Sequence, residues 1–227
     1  MDALEAVTSR RGVFKFKPAP VEPEKLDAVL RAAGNAPTPA NLQPWAFVAV
    51  TEPELARRVA GYLVRTQADC VYKALLGMPD DVTRRRMEAY EGLENAPCFV
   101  LFCLQPKVQF ALPEHQALLR EWYLVSVGAA LASLMAAAAA LGLGTRLFGG
   151  FGIEQHGQGL KELLGIPAGI DLVIATPLGY YEEEETRLPP VQDPTALAAF
   201  RRGAAETLPG LFRGRLPLDT LVHMNGW

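Results

Sequence analysis

The sequence has few of the residues that mark cross-linked, metal-binding or nucleic-acid-binding proteins. Its 227 residues include three cysteines without Cys-x-x-Cys spacing, and three histidines, His115, His156 and His223, that are far apart. Such a sparse, odd set of cysteines argues against a disulfide framework or a thiolate zinc site, and the histidines lack metal-ligand spacing. The formal net charge of −3 differs from the strongly basic character of nucleic-acid-binding domains. We therefore expect no bound metal and no nucleic-acid partner.

Two common catalytic signatures are also absent. Gly142 and Gly144 begin like a glycine-rich dinucleotide fingerprint, but the third glycine is replaced by Leu147. The G-x-S-x-G elbow of acyl-transfer enzymes does not occur. A nicotinamide cofactor, if used, would then have to visit a site other than a Rossmann cleft.

Long apolar runs are scarce, with one exception. The acidic start at Met1–Glu5 is not followed by the apolar stretch of a secretory signal. Trp122–Leu141, however, is a run of 20 uncharged residues, which is long enough to span a membrane. Eight of its residues are alanine, and the flanking charges give no positive-inside bias. We expect a buried helix in a soluble cytoplasmic protein and no membrane partner.

The pattern along the chain predicts strands interleaved with helices. Short, continuously apolar runs are typical of strands buried on both faces, and they occur at 45–50, 98–104 and 172–178. Helical periodicity occurs at 22–34, 54–64, 117–141 and 154–164. Interleaved strands and helices favour a layered fold over a bundle or a sandwich.

Arginine pairs lie near both ends of the chain. Arg10 and Arg11 close a predicted N-terminal helix, and Arg213 and Arg215 lie close to the C-terminus. An arginine at a helix C-terminus can simply complement the helix dipole. Forked, permanently charged guanidinium groups also match the oxygens of a phosphate, so the four side chains together would suit one anion site.

Two further segments carry potential ligand groups. The loop at 37–43 offers a hydroxyl and two amides, and its prolines reduce its conformational entropy; taken alone, it also reads as a turn leading into the next strand. Gly142 is placed to end a helix in the left-handed conformation. Gly149 and Gly150 would let the backbone approach a ligand closely.

In this order, the segments resemble the FMN-dependent nitroreductase family, over nearly the whole chain from about Leu4 to Trp227. The resemblance implies an α+β, nitroreductase-like fold with a central mixed β-sheet flanked by helices. It also implies a homodimer with two flavin sites at the interface. The residues that the family would use to bind FMN are Arg10, Arg11, Gly12, Pro37, Thr38, Asn41, Gln43, Leu147, Phe148, Gly149, Gly150, Arg213 and Arg215.

The resemblance also divides the chain. Residues 1–227 would form a single FMN-binding domain, in which 65–95 is a lid-like insertion and 189–227 is a tail that wraps around the partner subunit.

Three positions depart from the family pattern. Gly12 stands where serine is usual, and Pro39 stands where a small hydroxyl residue is usual. Phe14 replaces a lysine or arginine that in the family commonly lies near the N1–O2 edge of the flavin, where negative charge collects on reduction. The sequence leaves open whether Lys15 or the lid supplies a cation instead.

The implied activity is ping-pong transfer of two electrons from NAD(P)H, through FMN, to a nitroaromatic, quinone or similar electron-poor acceptor. The chemistry would be carried by flavin N5, with no side chain as a catalytic acid. The alternatives are a reductive dehalogenase, a flavin-cleaving dimethylbenzimidazole synthase, or a non-catalytic flavin-binding protein.

Overall fold

The computed structural model describes residues 1–105, 113–151 and 157–182, which belong to one compact unit. Its helices are α1 (Ala3–Ser9), α2 (Pro23–Gly34), α3 (Pro53–Thr66), α4 (Asp80–Met87), α5 (Gln116–Ala140) and α6 (Gln158–Leu164). Its strands are β1 (Trp45–Val50), β2 (Cys98–Leu104), β3 (Gly144–Thr145) and β4 (Asp171–Gly179). The predicted α+β class is confirmed.

The four strands form one sheet in the order β1-β2-β4-β3, and each neighbouring pair is antiparallel. The expectation of a mixed sheet is therefore wrong for these strands. The helical connection after β1 returns the chain to the end of the sheet at which β1 finished, whereas α5 carries the chain from the end of β2 to the opposite end, where β3 begins. Among the described residues, the one parallel contact is an isolated bridge between Gly12 and Thr145.

Most of the predicted elements are found close to their expected bounds. The first two strands match the prediction, and the third runs one residue further at each end, with Pro177 opposite Phe99. The helix predicted at 154–164 is found at Gln158–Leu164, and residues 152–156 lie outside the described residues. Gly142 has a φ of +74° just after α5, which confirms its role at the helix end. The two-residue strand β3 was not predicted.

The sheet lies between two layers of helices. Every residue of β2 is buried. Phe99 and Leu101 pack with Leu63 of α3 in one core, whereas Val100 and Phe102 pack with α2 and α5 residues in a second core. The unbroken apolar sequence of β2 follows from this burial on both faces.

Helix α5 has one buried face and one exposed apolar face. Its inward residues belong to the second core. In the part of the chain that the structure describes, α5 is the one helix long and apolar enough to cross a membrane, and 44% of its most apolar window is buried. Large hydrophobic side chains stay exposed on α5 and on α1, which packs against it. We call the exposed side chains on α1 and on one side of α5, together with Met1 just before α1, the α1–α5 apolar face: Met1, Leu4, Val7, Leu118, Trp122 and Val125. Leu124 lies on a different side of α5, where it lines a cavity with Gly150 and Phe151.

The stretch at 65–95 is helical and well anchored. It contains a π-helical segment at Gln67–Leu75, followed by α4 and short 3-10 turns. Cys70, Tyr90 and Leu93 in this stretch are buried. Arg85 pairs with Asp81 at the surface at 2.7 Å. A lid function for this stretch stays a prediction.

Candidate functional site

The N-terminal segment that carries Gly12 is fastened to β3. The amide of Val13 donates to the carbonyl of Thr145 at 2.9 Å, and Val13 and Phe16 are buried. Close packing explains the glycine at position 144, because an added Cβ would lie 2.6 Å from Val13 Cγ2 and 2.7 Å from Tyr181 Cδ1. The structure thus brings together two segments that are more than 130 residues apart in the sequence; we call their meeting point the Gly12 corner.

The glycine-rich turn after β3 continues from this corner. Phe148 is buried and exchanges two backbone hydrogen bonds with Ala175 of β4, at 2.8 and 2.9 Å. Its neighbour Leu147 is 54% exposed. A Cβ added at Gly149 would meet no atom within 4 Å, and Gly150 has a φ of +89°, which favours glycine. The turn therefore presents an exposed apolar side chain next to an open stretch of backbone.

Arg146 occupies the corner between these segments. Its guanidinium carbon lies 3.5 Å from the ring centroid of Phe14 and 4.9 Å from that of Tyr90. Its Nη2 donates to the Tyr90 hydroxyl at 2.9 Å. An added Cβ at Gly12 would lie 3.4 Å from Nη1. The Nε atom is buried and has no hydrogen-bond partner among the described residues.

Tyr90 contacts Arg146 through both its ring and its hydroxyl group. Its ring meets the ring of Phe14 edge-on, with centroids 5.2 Å apart, and its hydroxyl lies 3.1 Å from that of Tyr72. Burial raises the pKa of Tyr90, although the positive charge of Arg146 opposes this shift. Tyr90 is therefore neutral at physiological pH and can accept the hydrogen bond from Arg146.

The loop at 37–43 has an unusual backbone. Ala40, Asn41 and Gln43 have φ values of +49°, +55° and +45°, a region that residues other than glycine seldom adopt. The Gln43 amide donates to Thr38 Oγ1 at 3.1 Å, and Gln43 Nε2 donates to the Asn41 carbonyl at 3.1 Å. Pro37 and the Asn41 side chain are exposed. Local strain of this kind clusters at binding sites.

Within one chain, this loop lies far from the Gly12 corner. The loop leads into Trp45, at one edge of the sheet and level with Asp171 of β4, whereas Gly144 pairs with Gly179 at the other edge and other end. From strand spacing and rise, Trp45 and Gly144 are roughly 30 Å apart. A site that uses both regions needs two chains.

The structure describes two of the four arginines in the predicted phosphate site, Arg10 and Arg11. Arg10 is the C-cap of α1, and its Nη1 donates to Met135 Sδ of α5 at 3.7 Å. Arg11 is half-buried next to Gly12. Arg213, Arg215 and the tail at 189–227 lie outside the described residues, so their convergence with Arg10 stays a prediction.

Sequence reasoning did not identify Arg146 or Tyr90 as site residues. A signal for Arg146 was present, since it is the one charged residue between Glu121 and Glu154. A lone charge directly after a Gly-Leu-Gly-Thr turn is a candidate for a buried role. For Tyr90 we find no comparable signal.

Comparison with known proteins agrees with this fold. The model of the Nitroreductase family matches residues 7–180. An Archaeoglobus fulgidus protein with the provisional name NADH dehydrogenase/NAD(P)H nitroreductase is 26% identical over 184 residues, which is 81% of this chain and 88% of that protein. The iodotyrosine deiodinase of Danio rerio is 30% identical over 174 residues, which is 75% of this chain but 57% of the deiodinase.

A solved structure supports the same architecture. The NADPH:FMN oxidoreductase of Vibrio harveyi, complexed with NAD+, aligns with a TM-score of 0.64 at 21% identity, over 99% of this chain and 77% of that chain. At this identity the likeness concerns the fold. Because the family model covers most of the chain, the protein belongs to the nitroreductase family.

Proposed function

We propose that this chain is an FMN-dependent oxidoreductase that transfers two electrons by ping-pong from NAD(P)H to a nitroaromatic, a quinone or a similar electron-poor acceptor. The observation that carries the proposal is the Gly12 corner, where open backbone and an exposed Leu147 adjoin a half-buried cation, Arg146. When bound, FMN would accept hydride from the nicotinamide and pass its electrons to the acceptor, while the protein binds and orients both.

The residues at the corner fit a flavin. Leu147 offers an apolar surface for a planar ring. The backbone at Gly149 has room for close approach, so an amide of this turn can donate to the ring edge where negative charge develops. Arg10 and Arg11, with Arg213 and Arg215, would hold the phosphate.

The geometry of a single chain supports a homodimer as part of this proposal. The loop at 37–43 lies at the opposite corner of the sheet from Gly12, so the Thr38, Asn41 and Gln43 groups of one chain would reach the flavin bound by its partner. The α1–α5 apolar face would supply a surface for this association, because clusters of exposed apolar side chains often mark interaction sites. We therefore assign that face to a second copy and not to a membrane; the cytoplasmic location stays a prediction.

Reductive dehalogenation is the second candidate. The Danio rerio relative is an iodotyrosine deiodinase, and the other deiodinases of similar identity include those of rat and human. The shared region spans about three-fifths of those proteins, so a halogenated phenol is proposed only as an alternative acceptor.

Flavin content and turnover test the proposal directly. The purified protein is expected to be yellow, and anaerobic NADH or NADPH should bleach its flavin within seconds. Acceptor assays with a nitrobenzoate, a benzoquinone and a diiodotyrosine then rank the substrates. A colourless protein that ignores added FMN would refute the proposal.

Two other outcomes identify the remaining alternatives. Bound flavin that neither nicotinamide bleaches indicates a non-catalytic flavin-binding protein. Release of dimethylbenzimidazole from the protein's own flavin under air indicates a flavin-cleaving enzyme.

A further inference from the structure

We infer that Arg146 supplies the positive charge at the N1–O2 edge of the flavin, in place of the cation that Phe14 lacks. This assignment rests on the proposed function, because it needs FMN in the Gly12 corner. It names a residue for tuning the cofactor that neither the sequence pattern nor the comparisons identify.

The position of Arg146 is set by aromatic rings. Its guanidinium lies flat enough over Phe14 to approach the ring centroid to 3.5 Å, with Tyr90 and Phe148 at 4.9 and 5.9 Å. A cation over an aromatic face is attracted by the ring quadrupole. Phe14 therefore has two effects. It lacks the positive charge usual at this position in the family, and its ring binds the guanidinium of Arg146.

Gly12 lies beside the same guanidinium. An added Cβ at Gly12 would lie 3.4 Å from Arg146 Nη1, which is an ordinary van der Waals distance from the end of a flexible side chain, so Arg146 does not by itself require glycine there. The departure that Arg146 explains is Phe14, because the positive charge moves from residue 14 to residue 146.

Hydrogen bonding within the protein leaves this arginine incompletely satisfied. Tyr90 accepts from Nη2 at 2.9 Å, but the buried Nε finds no partner among the described residues. An unsatisfied buried donor on a charged group lowers stability. An anionic ligand edge beside the guanidinium would offset this loss through charge–charge attraction.

The other cations near this corner have different neighbours. Lys15 lies along the lid-like stretch, with its Cα and Cγ 3.8 and 3.7 Å from the Cβ position of Gly92. Arg85 pairs with Asp81, and Arg86 lies 5.8 Å from the ring of Tyr72. Among the described residues, it is Arg146 whose guanidinium stacks on the ring of Phe14.

A cation held in place on Phe14 should favour the reduced flavin, because a bound flavin would cover it from water and its charge needs no reorganisation. We expect Arg146→Met to lower the preference for reduced over oxidised FMN at least tenfold, which is about 30 mV in a two-electron couple. Equilibration with a reference dye measures this potential. The ratio of the Kd values for oxidised and reduced FMN measures the same quantity by linkage.

The design includes a matched control, a rescue and a second variant. Arg65→Met removes another guanidinium that stacks on a tyrosine, 4.6 Å from the ring of Tyr62, and should leave the potential unchanged. Phe14→Lys combined with Arg146→Met returns a cation to position 14 and should restore the potential. Arg146→Gln keeps a donor near Tyr90 without the charge. It should show the same fall in potential as Arg146→Met, and it takes the place of that variant if Arg146→Met folds poorly.

The outcomes separate the two proposals. Wild-type protein that binds no FMN overturns the proposed function. Wild-type protein that binds FMN, together with folded Arg146→Met or Arg146→Gln protein of unchanged potential, overturns only the role of Arg146. Thermal unfolding of the apoproteins separates a loss of stability from a change in potential.

Discussion

At the scale of single residues, Tyr90 links the buried core to the charge at the Gly12 corner. Its hydroxyl accepts from Arg146 and lies within hydrogen-bond distance of Tyr72. Tyr90→Phe keeps the ring but removes both hydrogen bonds and leaves Nη2 of a charged group unpaired. We expect the free energy of unfolding to fall by about 1–2 kcal/mol, as measured by urea titration.

Tyr72→Phe is the matched control. The Tyr72 hydroxyl is half-buried and has one described hydrogen bond, to Tyr90, so the loss should be smaller than for Tyr90→Phe. Equal stability of wild-type protein and Tyr90→Phe would show that the hydroxyl does not hold the arginine.

The buried thiols of β2 predict alkaline destabilisation. Burial raises the pKa of Cys98 to about 12 and that of Cys103 to about 11, whereas thiols of the unfolded chain ionise near pH 8.5. The folded state therefore binds more protons between these values, and the stability present below pH 8.5 is lost as the pH rises towards 11–12. The slope reaches at most about 1.4 kcal/mol per pH unit for each thiol.

Urea unfolding at pH 8 and pH 10.5 measures this effect. The double variant Cys98→Ala, Cys103→Ala should be less stable at both values, because it leaves cavities, but should lose less stability between them. A pH dependence identical to that of the wild-type protein would assign the alkaline loss to other groups.

At the scale of elements, the loop at 37–43 stores strain that one substitution can test. Ala40 is exposed and has a φ of +49°, where a Cβ costs roughly 1–2 kcal/mol. Ala40→Gly should therefore stabilise the protein by up to about 1 kcal/mol, after the greater freedom of glycine in the unfolded chain is subtracted. The midpoint of thermal unfolding measures the change.

Ala28→Gly provides the opposite case. Ala28 is exposed in the middle of α2, where glycine is about 1 kcal/mol less favourable than alanine. If Ala40→Gly destabilises the protein as much as Ala28→Gly does, the loop is not strained in solution.

The elements also show which features the sequence could predict. The strands at 45–50 and 98–104 were predicted from their unbroken apolar runs. Strand β2 is buried on both faces, as such a run implies, whereas β1 is an edge strand of the described sheet and is fully buried only at Trp45 and Val50. The strand β3 was missed because it has two residues, Gly144 and Thr145, and exists through pairing with a distant partner. The antiparallel sheet order depends on how the helical connections pack, which no local pattern encodes.

The candidate site was also predictable only where local sequence patterns identify it. Glycines and polar loop residues indicate open backbone and ligand groups locally, so Gly149 and the loop at 37–43 could be named, whereas Gly12 was named through the family resemblance. The meeting of Arg146 with Phe14 and Gly12 depends on β3 pairing beside the N-terminal segment. Such a contact becomes visible only in three dimensions.

At the scale of the whole molecule, the proposed site uses two regions that lie at opposite corners of the sheet, so the proposed dimer assembly and FMN binding should depend on each other. Val125 of α5 is 70% exposed, the most of the large hydrophobic side chains on that helix. Val125→Glu places a charge in the α1–α5 apolar face, and a charge buried without a partner at an interface strongly opposes association. We expect the variant to sediment as a monomer and to bind FMN at least tenfold more weakly, because the partner's loop no longer completes the site.

Leu75→Glu is the control for this experiment. Leu75 is also a highly exposed apolar residue, at 66%, but it lies in the π-helical segment and not on α1 or α5, so its replacement should leave the dimer intact. Sedimentation of both variants, with FMN titration on each, separates assembly from general surface effects. A Val125→Glu protein that stays dimeric would place the interface elsewhere, and a monomer that binds FMN like the wild type would show that one chain holds the whole site.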